Sequence, residues 1–169
     1  MKNLQRYFKA AQQGGWPLRK LNFILSIGIP FNRPHGIRIL KISDDEVITT
    51  IPYRRRNFNH IRGIHACGLA TAAEFASGLL LLNRLDPARF RIIMQSLSMV
   101  YHYQAKSTVK AIFRLTEDEF ASSITEPLKE QEVIYCKCMI ELYDESNNHV
   151  ATGTTNWQIK PWEKVRTKL

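Results

Sequence analysis

The sequence predicts an α+β domain in which one long central helix is wrapped by a curved antiparallel sheet. Three observations predict it. From Ala66 to Leu82 every residue is apolar or small and uncharged except Glu74, and a helix apolar on all sides is a buried helix. Segments with strand character lie on both sides of it, in the order strand, strand, helix and then four strands. No second long helix follows, so the alternating βα units of a doubly wound parallel sheet are missing. Small residues along the helix (Ala66, Ala70, Ala73, Ser77) allow a curved sheet to approach it closely.

The elements follow in order. Within residues 2–12, Leu4, Tyr7, Phe8 and Ala11 share one helical face, and Gly14-Gly15 ends that segment. Pro17 opens a second helix, carrying Leu18, Leu21, Ile24 and Leu25 up to Gly28. After the Pro-rich stretch 30–34, Gly36–Ile42 and Glu46–Tyr53 read as two strands joined at Asp44-Asp45. The long helix spans His65 to Leu82, and Asp86-Pro87 marks its exit turn. Strands are then expected at Phe90–Tyr103 and Thr108–Leu115, a helical excursion at Glu117–Ser123, and strands again at Glu132–Tyr143 and His149–Ile159, the last pair linked by Ser146-Asn147-Asn148. In the first of these, strict alternation over Ile92–Ala105 sets Ile93, Gln95, Leu97, Met99, Tyr101 and Tyr103 against Ile92, Met94, Ser96, Ser98, Val100 and His102. Neither an internal repeat nor a low-complexity tract interrupts the chain.

A chain of 169 residues, 44% hydrophobic and 23% charged, fits one globular domain. Its net charge of +9 favours anionic partners. The basic residues concentrate at Arg54-Arg55-Arg56 and at Lys160–Lys168, with Tyr53, Phe58, Trp157 and Trp162 nearby. No nucleic-acid-binding motif accompanies them. Coenzyme A is also a multiply phosphorylated anion, and a solvated basic face accounts for each cluster as well. The three cysteines show no disulfide-like spacing, and Cys136 and Cys138 are too close for a usual zinc pair, so a reduced, cytoplasmic setting is expected. The histidines His60, His102 and His149 lack ligand spacing with acidic residues, and no metal is expected. The N-terminal segment does not read as a secretory signal. Thr71, Glu74 and Ser77 interrupt the run 66–82, which argues against a membrane span.

One constellation carries chemistry. Asn59 is followed six residues later by His65, and His65 nine residues later by Glu74. This resembles the Asn…His-Gly-Gly…Asp/Glu pattern of hotdog-fold thioesterases of the phenylacetyl-CoA type, over a core from about Gly36 to Ile159. It resembles an uncharacterised branch of hotdog proteins too. Ala66-Cys67 stand where the family often has two glycines, with Gly68 one place later. The resemblance implies a hotdog domain at residues 34–169 behind an N-terminal helical extension at 1–33, and a small-molecule substrate of the acyl-CoA thioester type with no cofactor. It also implies a homodimer or homotetramer with its site between subunits. Asn59 and the helix start of one subunit would face Glu74 of the other, with His65 as a site-shaping or carbonyl-contacting residue.

Chemistry agrees with those roles. Thioester hydrolysis needs a base or nucleophile beside donors that polarise a carbonyl. Glu74 is the only carboxylate on the apolar helix; Gly78, one turn later, leaves room for a substrate beside it. Backbone N–H groups of Ala66 and Cys67 at the helix start suit a developing oxyanion, with Gly68 and Thr71 lining the approach. The arginines at 54–56 suit coenzyme A phosphates. Each residue has a bland alternative: Glu74 as a buried partner of Arg62 or a strand residue, Asn59 as a turn former, His65 as a helix cap, Cys67 as a small packed side chain, Ser96 and Ser98 as sheet packing. Three functions remain in play: an acyl-CoA thioesterase using Glu74 as base or nucleophile, a silent hotdog module that binds acyl chains, and a basic nucleic-acid or membrane-surface binder.

Overall fold

A computed structural model describes residues 4–165 of the chain. Two helices, α1 (Leu4–Ala11) and α2 (Gly15–Gly28), and a short turn of helix, α3 (Asn32–His35), precede β1 (Arg38–Ile42) and β2 (Glu46–Ile51). The central helix α4 (Ala66–Arg84) follows, then β3 (Phe90–Tyr101), β4 (Val109–Arg114), the short helices α5 (Glu117–Phe120) and α6 (Pro127–Glu130), β5 (Ile134–Asp144) and β6 (His149–Pro161). The predicted excursion at 117–123 is longer than expected, because a turn of π-helix at Ala121–Thr125 joins α5 to α6. Helix α3 lies in the Pro-rich stretch and was not expected. There Gly36 adopts a left-handed φ of 67° and closes the turn.

All six strands join one sheet in the order β1-β2-β4-β5-β6-β3, every neighbouring pair antiparallel. Helix α4 lies against its concave face and touches β2, β3, β4, β5 and β6. The expected α+β arrangement of a helix wrapped by a sheet is therefore the one observed. Alternation explains the inner face: Cys136, Cys138, Ile140 and Leu142 of β5 and Ala151, Gly153, Thr155, Trp157 and Ile159 of β6 are buried, with their sequence neighbours turned outward. Helix and sheet meet closely through small residues. A Cβ on Gly153 would sit 2.9 Å from the Ala73 Cβ, and one on Gly78 would sit 2.9 Å from the Trp157 ring.

Several polar groups between helix and sheet are paired, as burial favours. Thr49 Oγ1 donates to the Ala72 carbonyl at 2.8 Å, and the Trp157 indole N–H reaches Ser77 Oγ and Thr155 Oγ1, each at 3.0 Å. The N-terminal helices are tied to this frame. Gln5 Nε2 donates to the Leu82 and Leu85 carbonyls at 2.8 and 2.9 Å, which satisfies acceptors left open at the end of α4. Phe8, Ala11, Leu21 and Leu25 join the common core. By length and composition α4 is apolar enough to cross a membrane, yet most of it is buried inside the protein.

Candidate active site

Helix α4 begins at a cap supplied by His65. Its backbone is extended, and its Nδ1 accepts from the Cys67 N–H at 3.1 Å. The ring nitrogen is therefore occupied in the capping role. The Cys67 N–H, expected to be available to an oxyanion, is engaged by this cap, and the Gly68 N–H donates to the His65 carbonyl at 2.9 Å. Of the first turn, the Ala66 N–H keeps no hydrogen-bond partner among the described residues. Tyr101 of β3 approaches the same turn, its hydroxyl donating to the Ala66 carbonyl at 3.1 Å. Burial pushes the Tyr101 phenol above its ordinary pKa, and the neighbouring Cys67 adds to the shift.

The loop before the helix holds two asparagines with different jobs. Asn59 Oδ1 accepts from the Ile61 and Gly63 N–H groups at 3.1 and 2.9 Å, so its carbonyl organises the loop. Asn57 is buried, its Nδ2 donating to the His35 and Pro52 carbonyls and its Oδ1 meeting His35 Nδ1 at 3.0 Å. Because the amide oxygen can only accept, His35 Nδ1 carries the proton. This Asn57–His35 link fastens the strand-to-helix loop to α3. Sequence reasoning singled out Asn59 and passed over Asn57.

Two cavities open along one face of α4, where Cys67, Thr71, Glu74 and Gly78 recur at helical spacing. The first, of about 210 Å³, lies at the helix start and brings together His65, Cys67, Gly68, Thr71 and Arg56 with Phe31 and His35. Thr71 Oγ1 is turned back to the Cys67 carbonyl at 2.8 Å. The second, of about 150 Å³, holds Glu74 among Ile29, Phe75, Gly78, Leu82, Ile92 and Trp157. The space beside Gly78 is taken up by the Trp157 ring rather than left open. Burial alone raises the Glu74 carboxyl above its usual pKa; no cation or hydrogen-bond donor among the described residues offsets it. The ion pair with Arg62 is absent, since Arg62 sits in the loop with its carbonyl on the Tyr53 hydroxyl.

The arginine run divides. Arg56 lines the first cavity and donates to the Pro34 carbonyl at 3.1 Å. Arg54 lies across Gly36, where a Cβ would be 1.7 Å from its Nη2, and Arg55 is exposed. Ser96 and Ser98 do not share a face with Ile92 and Met94 as strict alternation predicts. A bulge between Met94 and Ser96 shifts the register against β6, so Leu97, Met99 and Tyr101 pair with inward residues and Ser96 and Ser98 with outward ones. Both serines point away from α4. Ile29, Phe31, Ile92 and Trp157, which line the cavities, carried no signal in the sequence, because distant segments bring them together.

A six-stranded antiparallel sheet wrapped around one long buried helix, with a capped helix start and a carboxylate along the same face, is the hotdog fold. Residues 19–159 match the family described as "Domain of unknown function (DUF4442)", and the chain belongs to that family. A Pseudomonas aeruginosa protein of unknown function, described as a probable thioesterase, is 25% identical over 83% of this chain and 93% of its own, with a TM-score of 0.75. A Haemophilus influenzae thioesterase is 15% identical, with a TM-score of 0.68 over 89% of this chain and 94% of its own. A Chlorobaculum tepidum protein of unknown function is 17% identical, with a TM-score of 0.70 over 84% and 93%. No curated protein matches the chain.

Proposed function

We propose that the protein is a thioesterase acting on an acyl-CoA-type thioester, with Glu74 as general base or nucleophile. The observation that carries this reading is the Glu74 carboxylate itself. It lies in an apolar cavity, has no compensating partner among the described residues, and has its pKa raised by burial. Buried, perturbed carboxylates cluster at reactive sites, and a base works best with its pKa moved toward the operating pH. The thioesterases among the structural neighbours support the same class of reaction.

In this reading the acyl carbonyl is polarised by the free Ala66 N–H at the positive end of α4, while the carboxylate activates water or attacks directly. Within one chain these groups are far apart. Eight residues of helix separate Ala66 from Glu74, about 12 Å at the α-helical rise, whereas a reacting carbon must lie roughly 3 Å from both. The reading therefore includes a homodimer in which β3 pairs edge to edge with β3 of a second copy and joins one chain's helix start to the other's Glu74. A β3 edge that no element among the described residues covers, with Ile93, Val100 and Tyr101 exposed along the strand, supports it. Asn59 keeps the helix-start loop in shape, His65 caps the helix beside the carbonyl, and the arginines at 54–56 contact coenzyme A phosphates, led by Arg56 at the cavity wall. Residues 1–33 serve as an extension ahead of a hotdog domain at 34–169.

The engaged Cys67 N–H favours one alternative, a hotdog module that binds acyl-CoA without turning it over. A panel of acyl-CoA thioesters offered to wild type and Glu74→Ala decides between them. Turnover by wild type that Glu74→Ala loses is the expected result. Binding without turnover by both would replace the thioesterase with the silent module.

A further inference from the structure

The charge of this chain is not spread evenly. Of its 24 lysines and arginines, eight lie before Asp44, and all 15 acidic residues lie at or after it. The first 43 residues therefore carry nearly the whole net charge of +9. The same segment holds four of the five most exposed large apolar side chains among the described residues: Trp16 at 73%, Phe23 at 66%, Phe31 at 64% and Ile27 at 61%. Leu21 and Leu25 of α2 are buried against the core. At about 100° per residue, Trp16, Lys20, Phe23 and Ile27 fall within an arc of roughly 60° on the opposite face. Helix α2 is thus apolar inward for packing and apolar outward with no covering element among the described residues, and its outward stripe is flanked by Arg19 and Lys20.

We propose that α1 and α2 form a docking face for an anionic lipid bilayer, with α2 lying in the interface plane. Trp16, Phe23 and Ile27 enter the boundary of headgroup and acyl chain, and Phe31 extends the stripe beyond the helix. Arg6, Arg19 and Lys20 meet lipid phosphates. Lys20 lies 5.2 Å from the Tyr7 ring centre, a position from which a long basic stem reaches outward while its body stays on apolar surface. Between the two helices a groove of about 380 Å³, lined by Arg6, Tyr7, Ala10, Trp16, Pro17 and Lys20, sets two cations beside aromatic rings. An amphipathic helix with aromatics on one side and Lys/Arg beside them binds in this manner. At 14 residues, about 21 Å, α2 is too short to span a hydrocarbon core of about 30 Å. A continuous apolar stripe that includes aliphatic Ile27 suits acyl chains, where a single-stranded nucleic acid needs aromatic faces spaced along its backbone. The docking stands independently of the thioesterase reading. If both hold, α2 runs directly from the bilayer into Ile29 and Phe31, which wall the two cavities beside α4.

The test is co-sedimentation of the full chain with sucrose-loaded vesicles of phosphatidylcholine alone and of phosphatidylcholine mixed with phosphatidylglycerol, at low and high salt. Wild type is expected to bind the anionic vesicles, more weakly as salt rises, with a blue shift of the exposed Trp16 fluorescence. Trp16→Ala combined with Phe23→Ala should lower partitioning about 100-fold. Arg19→Gln combined with Lys20→Gln should lower it roughly 30-fold on anionic vesicles only. Both variants change exposed side chains and should keep the wild-type melting temperature. Failure of wild type to bind anionic vesicles overturns the proposal, as does equal binding by the two variants. It is also overturned if the Trp16/Phe23 variant changes the oligomeric mass in solution, which would make this face a joint between copies. Capture of a single-stranded oligonucleotide in place of vesicles would overturn it in favour of a nucleic-acid partner.

Discussion

The two edges of the sheet are treated in opposite ways. At one end β1 has five residues and a bulge between Ile39 and Lys41, and α2 lies against it. There the Asn22 side chain acts as a substitute strand. Its Nδ2 donates to the Ile39 carbonyl at 2.9 Å and its Oδ1 accepts from the Ile39 N–H at 2.8 Å. At the other end β3 runs for twelve residues, and no element among the described residues pairs with its outer side. Short, bulged and covered edges are how proteins prevent unwanted pairing, and a long bare edge invites it. The difference separates an edge that the fold closes by itself from one on which the proposed dimer depends. The bare edge also lies beside the candidate site, since Tyr101 of β3 touches the first turn of α4.

The most severe way to break this contrast is to give the open edge the charges that edges normally carry. Ile93→Glu with Val100→Glu should leave a folded chain of 19.6 kDa by light scattering, with turnover abolished because the helix start and Glu74 of one chain cannot meet. Retained activity in such a monomer would refute the shared site. Glu74→Gln should remove activity by a different route, lowering turnover by about 10²–10⁴ while the dimer persists.

The same variant sharpens the picture through its pH dependence. Burial raises the Glu74 pKa in the folded state, so its contribution to stability is fully present below the unfolded carboxylate value and is lost as pH rises through the folded one. Glu74→Gln, which cannot ionise, should therefore be at least as stable as wild type at neutral pH. Its advantage should shrink as pH falls toward the ordinary glutamate range. A melting-temperature series against pH measures this directly.

On the closed edge, Asn22→Ala should cost about 1–2 kcal/mol through the loss of two hydrogen bonds to Ile39, read by chemical denaturation, with no change in oligomeric mass. The smallest effect is expected at Glu46, which links β1 to β4 through Lys41 and Arg114, each at 2.7 Å. Those two cations, Lys41 first, hold its carboxyl below the usual range against the opposing effect of burial. Glu46→Gln should cost under about 1 kcal/mol, because both cations are solvent-exposed. A depressed carboxylate stabilises above its unfolded pKa and loses that contribution as pH falls through the folded value, so the difference should disappear in acid.

The central helix was legible because seventeen residues with one charge can only be buried, and the strands because alternation is a local pattern. Glu74 was legible for the same reason, as the exception within that run. Its surroundings were not. Ile29, Ile92 and Trp157 come from three distant parts of the chain, and nothing local marks them as neighbours. Loop asparagines could not be ranked either: Asn57 and Asn59 have the same chemistry two residues apart, and only the turn at Gly63 decides which amide is buried against His35. The N-terminal charge asymmetry was present in the sequence. It passes unnoticed when basic residues are sought as runs, since its mark is the absence of acids.

The bulge at Gln95 has a bearing on how this chain is compared with its relatives. One additional residue in the middle of β3 leaves everything before it in phase with β6 and turns everything after it by one place. Within one chain such a residue disturbs a single neighbouring strand, because β3 is at the edge of the sheet. A gap-free comparison with a relative lacking the bulge would set Ser96 and Ser98 opposite inward residues and report hydroxyls on the helix-facing side of the sheet, where this chain presents Leu97 and Met99.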